Sequence, residues 1–506
     1  MKRRIWHFGI MAALFLLSLL PRTKNIQTGD YPAVIPHLQV LQTIRVWDEV
    51  GPGAHAFLPV QTWSNPNDKF MTYFERLQNG RGDNYYVSYP PFAFVLAWAF
   101  CKVFGLPFSV LSITVLNLLL QFVAMWFVFG MVQKLIPRRE NQSLFWPGLA
   151  AAAIFICNPA SMRLFSQVYF SESVGTFLFC AFAYCVVSVS QKPKSFFLLW
   201  GMAVSTFLLV YCEWIGIFAV LGFGVFWVLK SFRTGYFLWP LGVLSLFGLG
   251  AVLLFAYQLD VVTGSGDFIA NLQERYEARS GMRDYEKSVG DTVFKEGFWE
   301  GFLSTVRATM YAARWFLPVL LVTAFVYLKR KSLPLNIPKS SYGLFAVLFA
   351  IVLVNFGVLF NFSMIHSYTW AKWGLPLALV VAWCVHILVA ERKMVVGVVV
   401  FMAAFFATDL LFYYGFGRID EASAYVQQQT VFIKENAAPD EAIFITTISE
   451  EGEPTFHLTY YTQRNMSNVK TAQEAQEQAV RLGFGRYVWF NFNQFENRME
   501  AHHIHP

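Results

Sequence analysis

The sequence predicts a polytopic α-helical membrane protein with about 11 transmembrane helices, outside-facing interfacial helices and a small C-terminal α/β domain. Three observations carry that prediction. Of the 506 residues, 56% are hydrophobic and only 14% are charged, against roughly 25% charged in an ordinary soluble domain. The apolar residues come in blocks such as Val110–Val132 and Tyr236–Tyr257, each matching the roughly 20 residues that a helix needs to cross a bilayer. Positive charge recurs in short segments between those blocks, so the net charge of +7 reads as a topology signal and not as the basic face of a nucleic-acid binder. The lipid bilayer is the expected partner, and nucleic acid is not.

Taken in order, the basic start Met1–Arg4 leads into an apolar run to Leu20. Pro21, Arg22 and Lys24 supply no small-residue cleavage site, so the segment reads as an uncleaved first span with its amino terminus inside and Asp30 outside. Later spans are expected over 109–131, 145–162, 172–190, 196–211, 214–229, 236–257, 308–328, 342–360, 373–390 and 395–414. On this count Lys134, Arg138, Arg139, Lys192, Lys194, Lys230, Arg233, Lys329–Lys331, Lys339, Arg392 and Lys393 all face the cytoplasm. A full crossing by Phe92–Phe104 would invert every one of those loops, which makes that segment an interfacial or re-entrant helix.

The outside face then receives 21–107, the short turn 161–171, the loop 258–307 and the tail after Phe412. The chain divides into a membrane region, 1–415, and a small α/β domain, 416–506. In the first loop a surface helix over Tyr31–Val46 places Val34, Leu38, Leu41 and Ile44 on one stripe; Gly29, Asp30 and Pro32 mark its start and Gly51-Pro52-Gly53 its stop. The mixed charges between Glu274 and Glu300 read either as interfacial helices or as a solvated loop. The tail reads as a helix over 421–435, a strand over 442–447, a strand over 455–461, a helix over 472–482 and a strand over 487–490. It has no Gly-rich phosphate loop, so acceptor recognition or a packing lid suits it better than independent catalysis. His502, His503 and His505 read as a frayed end before they read as metal ligands. The six cysteines fall in or near apolar segments, with neither a disulfide framework nor a zinc spacing, and read as packing residues.

Charged residues at the ends of apolar blocks are the chemical candidates, because an ionisable group near hydrocarbon is costly and commonly functional. Asp30 follows a flexible glycine just beyond the first span; it reads as a catalytic carboxylate or as a helix N-cap. Glu172, in Tyr169-Phe170-Ser171-Glu172-Ser173, reads as a site acid or as an acid stabilising a helix N-terminus. Glu213, in Tyr211-Cys212-Glu213-Trp214, lines the same outside cavity or makes structural hydrogen bonds. Tyr85, Tyr86 and Tyr89, ahead of the rigid Pro90-Pro91, suit sugar or headgroup contacts and equally a membrane belt. In His366-Ser367-Tyr368-Thr369-Trp370-Ala371-Lys372, Lys372 suits a lipid phosphate, with His366 and Tyr368 as hydrogen-bond donors, or snorkels to the interface. Arg163 and Arg314 are further phosphate candidates.

This arrangement resembles the GT-C superfamily of integral-membrane glycosyltransferases, in the branch of protein mannosyltransferases and lipid A aminoarabinose transferases. The resemblance rests on Asp30 soon after the first span, the Tyr89-Pro90-Pro91-Phe92 segment, Glu172 at the start of the fourth span, and the His366/Tyr368 loop before a span containing Pro376. It departs from the family where an acidic pair is usual: here Asp30 is followed by Tyr31, and the pair Asp48-Glu49 lies near the end of the next helix. The resemblance implies transfer of a sugar from a polyprenyl-phosphate (undecaprenyl-phosphate) donor to a protein, lipid or glycan acceptor, with inversion and Asp30 as general base. It implies a bacterial cytoplasmic (inner) membrane location, with the site and tail on the periplasmic side, and makes Asp30 and Glu172 the pair to hold a divalent metal ion if one is used. Two other classes fit many spans with acids at their edges: a transporter or flippase of a lipid-linked glycan, and a non-catalytic cell-envelope assembly subunit.

Overall fold

The computed structural model describes residues 2–22, 35–65, 68–69, 79, 82–136, 144–234, 238–264, 268–280, 339–390, 424–446, 453–493 and 498–504. The expected spans 308–328 and 395–414 lie outside the described residues, as do Asp30, Arg314 and His505. Contacts between residues divide the chain into two compact units. The first comprises Met1–Ile26, Thr114–Leu254 and Asn271–Arg418; the second comprises Gln27–Ile113, Phe255–Ala270 and Ile419–Pro506. The sequence divides the chain at 415/416, in chain order, whereas the contacts group the first loop with the tail.

Long apolar helices build the first unit: α1 (Lys2–Leu19), α4 (Val110–Leu135), α7 (Ser171–Gln191), α9 (Ile215–Thr234), α10 (Leu238–Thr263), α12 (Lys339–Val358) and, after the short α13 (Phe360–Ile365), α14 (Gly374–Ala390), which continues a 3-10 helix, Ser367–Trp373. Nine of the 11 expected spans fall on described residues, and among those residues 7 helices are long and apolar enough to cross a membrane, or 8 if a bent pair counts as one span. The difference has physical sources. The expected span 145–162 breaks into α5 (Phe145–Cys157) and α6 (Pro159–Gln167), bent by 59°. α8 (Phe196–Val210) has only 15 residues, about 22 Å of helix against about 30 Å of hydrocarbon. α7 and the segment Thr369–Ile387 are mostly buried within the protein, while α9 and α10 expose most of their length, including Leu246, Leu249 and Leu253. A helix that exposes leucines along its length faces lipid.

Where α1 ends, Arg22 is fully buried. Its guanidinium donates to Gln121 Oε1 on α4, to the Ile156 carbonyl at 2.6 Å and to Ser18 Oγ at 3.3 Å. At the other end of α4, the Lys134 carbonyl accepts from Gln191 Nε2 at the end of α7, 2.7 Å away. The ends of these two helices, which carry Lys134 and Lys192, therefore share a side, as charge bias predicts.

In the second unit, α2 (Ile35–Val50) is no surface helix. His37 through Ile44, Val46 and Trp47 are all buried, because α2 packs against both α3 (Phe92–Phe104) and the tail helix α16 (Glu453–Thr462). A one-sided stripe was the expectation; covering on several sides is why polar Gln39, Gln42 and Thr43 are buried too. Gly51, at φ 86°, ends α2 in a conformation that suits glycine. α3 has 13 residues and is closed by Gly105 at φ 62°; at about 20 Å it is too short to cross.

The tail forms a sheet in the order β2-β1-β3-β4 from β1 (Ala442–Thr446), β2 (Met466–Asn468), β3 (Tyr487–Asn493) and β4 (Arg498–Ile504), parallel except for β3–β4. Period-two alternation sorts its two faces. Ala442, Phe444 and Tyr487 meet Ala475 and Ala479 of α17 (Ala472–Leu482). On the other face Ile443, Ile445, Val488 and Phe490 meet Ile433 of α15 (Ala424–Asn436) and Leu458 of α16. The strand expected over 455–461 is instead α16: its aromatic and β-branched residues favour a strand locally, but burial of Leu458 on the sheet decides the outcome. The frayed end expected at His502 and His503 is β4, where Trp489 pairs with His502 and Val488 with His503. All six cysteines are free thiols.

Candidate active site

The first unit gathers helix ends around a buried ion pair. Asn158 precedes Pro159, and the ring of a proline drives the preceding residue out of the helical region; Asn158 sits at φ −67°, ψ 140°. Its Oδ1 then accepts the Ser161 N–H at 2.9 Å and caps α6, the helix that carries Arg163. Asn117 of α4 donates to the carbonyls of Leu164 and Val168 at 2.9 and 3.2 Å, satisfying the far end of α6. α7 starts at Ser171 with Glu172 in its first turn, where the positive end of a helix dipole favours an acid. Glu172 is 1% exposed.

Glu213 sits in the joint between α8 and α9. Two glycines make that joint possible: a Cβ on Gly216 would lie 2.7 Å from the Val210 backbone, and one on Gly175 would lie 2.8 Å from Glu213 Cβ. Gly175 stands one turn after Glu172, so α7 presents its bare backbone to Glu213. The 3-10 helix packs against α6 and α7, and Gly374, just beyond it, leaves room for Asn158 and Ser161. Lys372 of this helix places its Nζ 2.7 Å from Glu213 Oε1, the two side chains 2% and 0% exposed. Glu213 Oε2 is buried with no hydrogen-bond partner among the described residues. Removing either charge alone from such a pair leaves the other stranded, at about 3–5 kcal/mol.

In the same unit, the sequence does not single out Arg279 of α11 (Phe268–Ser280). It is buried, its guanidinium carbon lies 4.6 Å from the Phe362 ring centroid, and the His366 ring meets the same phenylalanine edge-on at 4.5 Å. Burial first, and then the Arg279 charge, push the His366 imidazole down from 6.5 to about 4. Only the tertiary structure reveals this grouping, because Arg279 lies among mixed charges that read either as interfacial helices or as a solvated loop. Tyr368 lies in the 3-10 helix; its side chain falls outside the described residues. Arg163 is part-buried on α6.

The other expected residues belong to the second unit. Tyr85 is 3% exposed and Tyr89 1%; the Tyr85 hydroxyl accepts from Asn79 Nδ2 at 3.1 Å and lies 2.9 Å from His55 Nδ1. Asn79 also donates to Asp83, which Lys69 meets at 2.7 Å. Tyr86 is the more accessible of the three and faces the rings of Tyr89 and Phe94. Both members of the acidic pair are engaged locally, Asp48 by Lys102 and Glu49 by Ser64. Among the described residues no three His, Cys, Asp or Glu side chains group as metal ligands, and of the expected ligands Asp30 and Glu172 only Glu172 is described.

No family model matches the sequence, and no curated protein matches it. Solved structures do. An Archaeoglobus fulgidus oligosaccharyltransferase in complex with zinc and sulfate aligns at a TM-score of 0.59 and 12% identity, over 95% of this chain and 68% of that one. AglB from the same archaeon, in complex with an inhibitory peptide and a dolichol-phosphate, aligns at 0.56 and 13%, over 96% and 70%. ArnT from Cupriavidus metallidurans, bound to undecaprenyl phosphate, aligns at 0.55 and 11%, over 98% and 94%. At these identities the likeness is one of fold.

Proposed function

With the GT-C fold of membrane glycosyltransferases as the premise, we propose that this chain transfers a sugar from a polyprenyl-phosphate donor to a protein, lipid or glycan acceptor on the extracytoplasmic face of a bacterial cytoplasmic membrane. The observation that carries the reading is the Lys372–Glu213 pair, an ammonium and a carboxylate buried together among apolar spans, in a chain whose fold follows ArnT over 98% of its length. Ion pairs inside a membrane domain are expensive and mark functional positions.

In the proposed reaction Asp30 accepts the proton of the acceptor hydroxyl as that oxygen attacks the anomeric carbon. The bond from that carbon to the phosphate oxygen breaks on the opposite face, its electron pair leaves with the polyprenyl phosphate, and the sugar carbon inverts. The proton ends on Asp30 and the negative charge on the leaving phosphate. A positioned base supplies about 10²–10⁴ in rate, and fixed cationic donors stabilise the developing phosphate charge. Lys372, Arg163 and Arg314 are the proposed phosphate donors, joined by the buried Arg279; His366 and Tyr368 add hydrogen bonds. Glu172 is the second site acid, and Tyr85, Tyr86 and Tyr89 belong to the sugar or acceptor side. Because Lys372 already meets Glu213, the phosphate must share or replace that carboxylate. Glu213 thus acts as the partner that Lys372 holds between turnovers.

The test is reconstitution into liposomes with a polyprenyl-phosphate sugar and an acceptor. A new glycosidic bond with release of polyprenyl phosphate, lost in a folded Asp30→Asn variant, supports the proposal. Movement of the intact donor across the bilayer without a new bond supports a flippase instead, and equal turnover by Asp30→Asn removes that residue as the base.

A further inference from the structure

The tail holds the first outside loop through hydrogen bonds that the loop cannot make for itself. Residues 56–65 form no helix: Val60 bridges Tyr85, the Tyr86 N–H donates to the Pro59 carbonyl and the Gln61 N–H to the Asn84 carbonyl, both at 2.8 Å, and Thr43 and Gln42 of α2 donate to the Val60 and Gln61 carbonyls at 2.9 Å. Two residues on, that ladder has run out. The Trp63 N–H donates instead to Asn465 Oδ1 at 2.7 Å, and Asn465 Nδ2 returns to the Trp63 carbonyl at 3.2 Å. One carboxamide, fully buried, thus stands in for a partner strand, satisfying main-chain groups that burial would otherwise leave stranded.

The same amide donates to Asp68 Oδ1 at 2.9 Å, while Arg464 Nε meets Asp68 Oδ2 at 2.7 Å. Arg464 is itself oriented by the carbonyls of Ala438 at 3.1 Å and Glu441 at 2.5 Å, so its charge is fixed by the tail before it reaches the loop. Trp63 Nε1 donates to the Thr459 carbonyl at 2.9 Å. Arg45 of α2 lies 5.3 Å from the centroid of Tyr460 and donates to the Phe108 carbonyl just ahead of α4 at 3.1 Å. The tail therefore grips both α2, which begins a few residues after Asp30 in the sequence, and the stretch that leads toward Tyr85–Tyr89.

We infer that the C-terminal domain is a clamp on the first outside loop, with Asn465 and Arg464 as positioning residues acting through Trp63 and Asp68, and that this holding role is the reason the chain carries the domain. The clamp itself is independent of the transferase reading; only its consequence for turnover rests on it.

The experiment is amide hydrogen exchange on the full chain in lipid nanodiscs, reading 58–65 against 115–130 of α4 as an internal reference. Asn465→Ala removes both main-chain bonds of Trp63 and is expected to speed exchange at 58–65 about tenfold, the equivalent of roughly 1.4 kcal/mol, with the reference unchanged. Asn465→Asp is the near-isosteric control. It keeps an acceptor for the Trp63 N–H but sets a second carboxylate against Asp68, in surroundings whose other charged groups are Arg464 and the neighbouring Glu441 and His503. Two close acids hold one proton more tightly, so its exchange, taken relative to wild type at each pH, should be fast near about pH 7.5 and return toward wild type near about pH 5.5. Unchanged exchange in Asn465→Ala, or no pH dependence in Asn465→Asp, overturns the clamp. In the transfer assay Asn465→Ala should lower kcat and leave KM for the lipid donor unchanged. A wild-type protein that transfers no sugar would end the transferase proposal while the exchange result still decides the clamp.

Discussion

The two units each bury charge, and they do so in opposite styles. In the second unit Asp68 has both oxygens engaged, by Asn465 and by Arg464, and Arg464 also donates to the carbonyls of Ala438 and Glu441. In the first unit Lys372 meets only one oxygen of Glu213, and the other is buried without a hydrogen-bond partner among the described residues. A fully satisfied network rigidifies, whereas a polar atom buried without a partner sits higher in energy. The clamp is paired within the protein, whereas the ion pair is where the proposed transfer puts its phosphate.

The largest effect that separates the two is on turnover. Asp30→Asn should reduce sugar transfer by about 10²–10⁴ with no change in thermal unfolding, measured side by side on the purified protein. A parallel loss of stability would move Asp30 to the structural side of the comparison.

The ion pair comes next. Lys372→Met strands Glu213 and should destabilise the protein by about 3–5 kcal/mol, read by denaturant or thermal unfolding. The double variant Lys372→Met/Glu213→Leu should recover most of that loss, because an apolar pair of similar volume replaces buried charge at little cost, yet remain inactive. Activity in the double variant would show that the pair serves only packing.

A smaller effect follows pH. The folded His366 imidazole titrates near about 4, below its ordinary 6.5, so the folded state favours the neutral ring. The stability this provides is complete above pH 6.5 and is lost as pH falls from 6.5 toward about 4. His366→Gln should flatten that window in unfolding curves taken across it. Glu441 behaves in the same sense in the tail: burial alone would raise its carboxyl, but the hydrogen bond from His503, the Ala438 N–H and the nearby charges of His503 and Arg486 bring it below 4.5. Its contribution is present above that value and is lost on acidification. An unfolding curve that gained stability toward acid in this range would contradict both assignments.

The smallest is a helix cap. Asn158→Ala removes the Oδ1 that accepts the Ser161 N–H and should cost about 1 kcal/mol, with a modest fall in donor affinity because α6 carries Arg163.

Much of the scaffold was legible from hydrophobic blocks and punctuation. Helices such as Val110–Leu135 and Ala472–Leu482, and the short Phe92–Phe104, stand almost where the apolar runs and glycines put them. Most of what escaped was long-range. The break at Asn158 was written in the Asn-Pro step but hidden inside an apolar run long enough to cross. Glu453–Thr462 carries strand-forming residues, and only its packing on Ile443 and Ile445 makes it a helix. His502 and His503 look like a loose end until β3 supplies a partner. In the site, Glu213 and Lys372 were each visible as charges beside apolar blocks, but no local pattern pairs residues 159 positions apart. Arg279 had no signal beyond its place in a mixed-charge segment.

The most direct measurement is the fate of a labelled polyprenyl-phosphate sugar offered to the reconstituted protein with an acceptor on the outer face. The account predicts that the label appears in a new glycosidic bond of inverted configuration, with one polyprenyl phosphate released per sugar transferred. Label that stays on the polyprenyl phosphate, whether left in place or carried across the membrane, would contradict it.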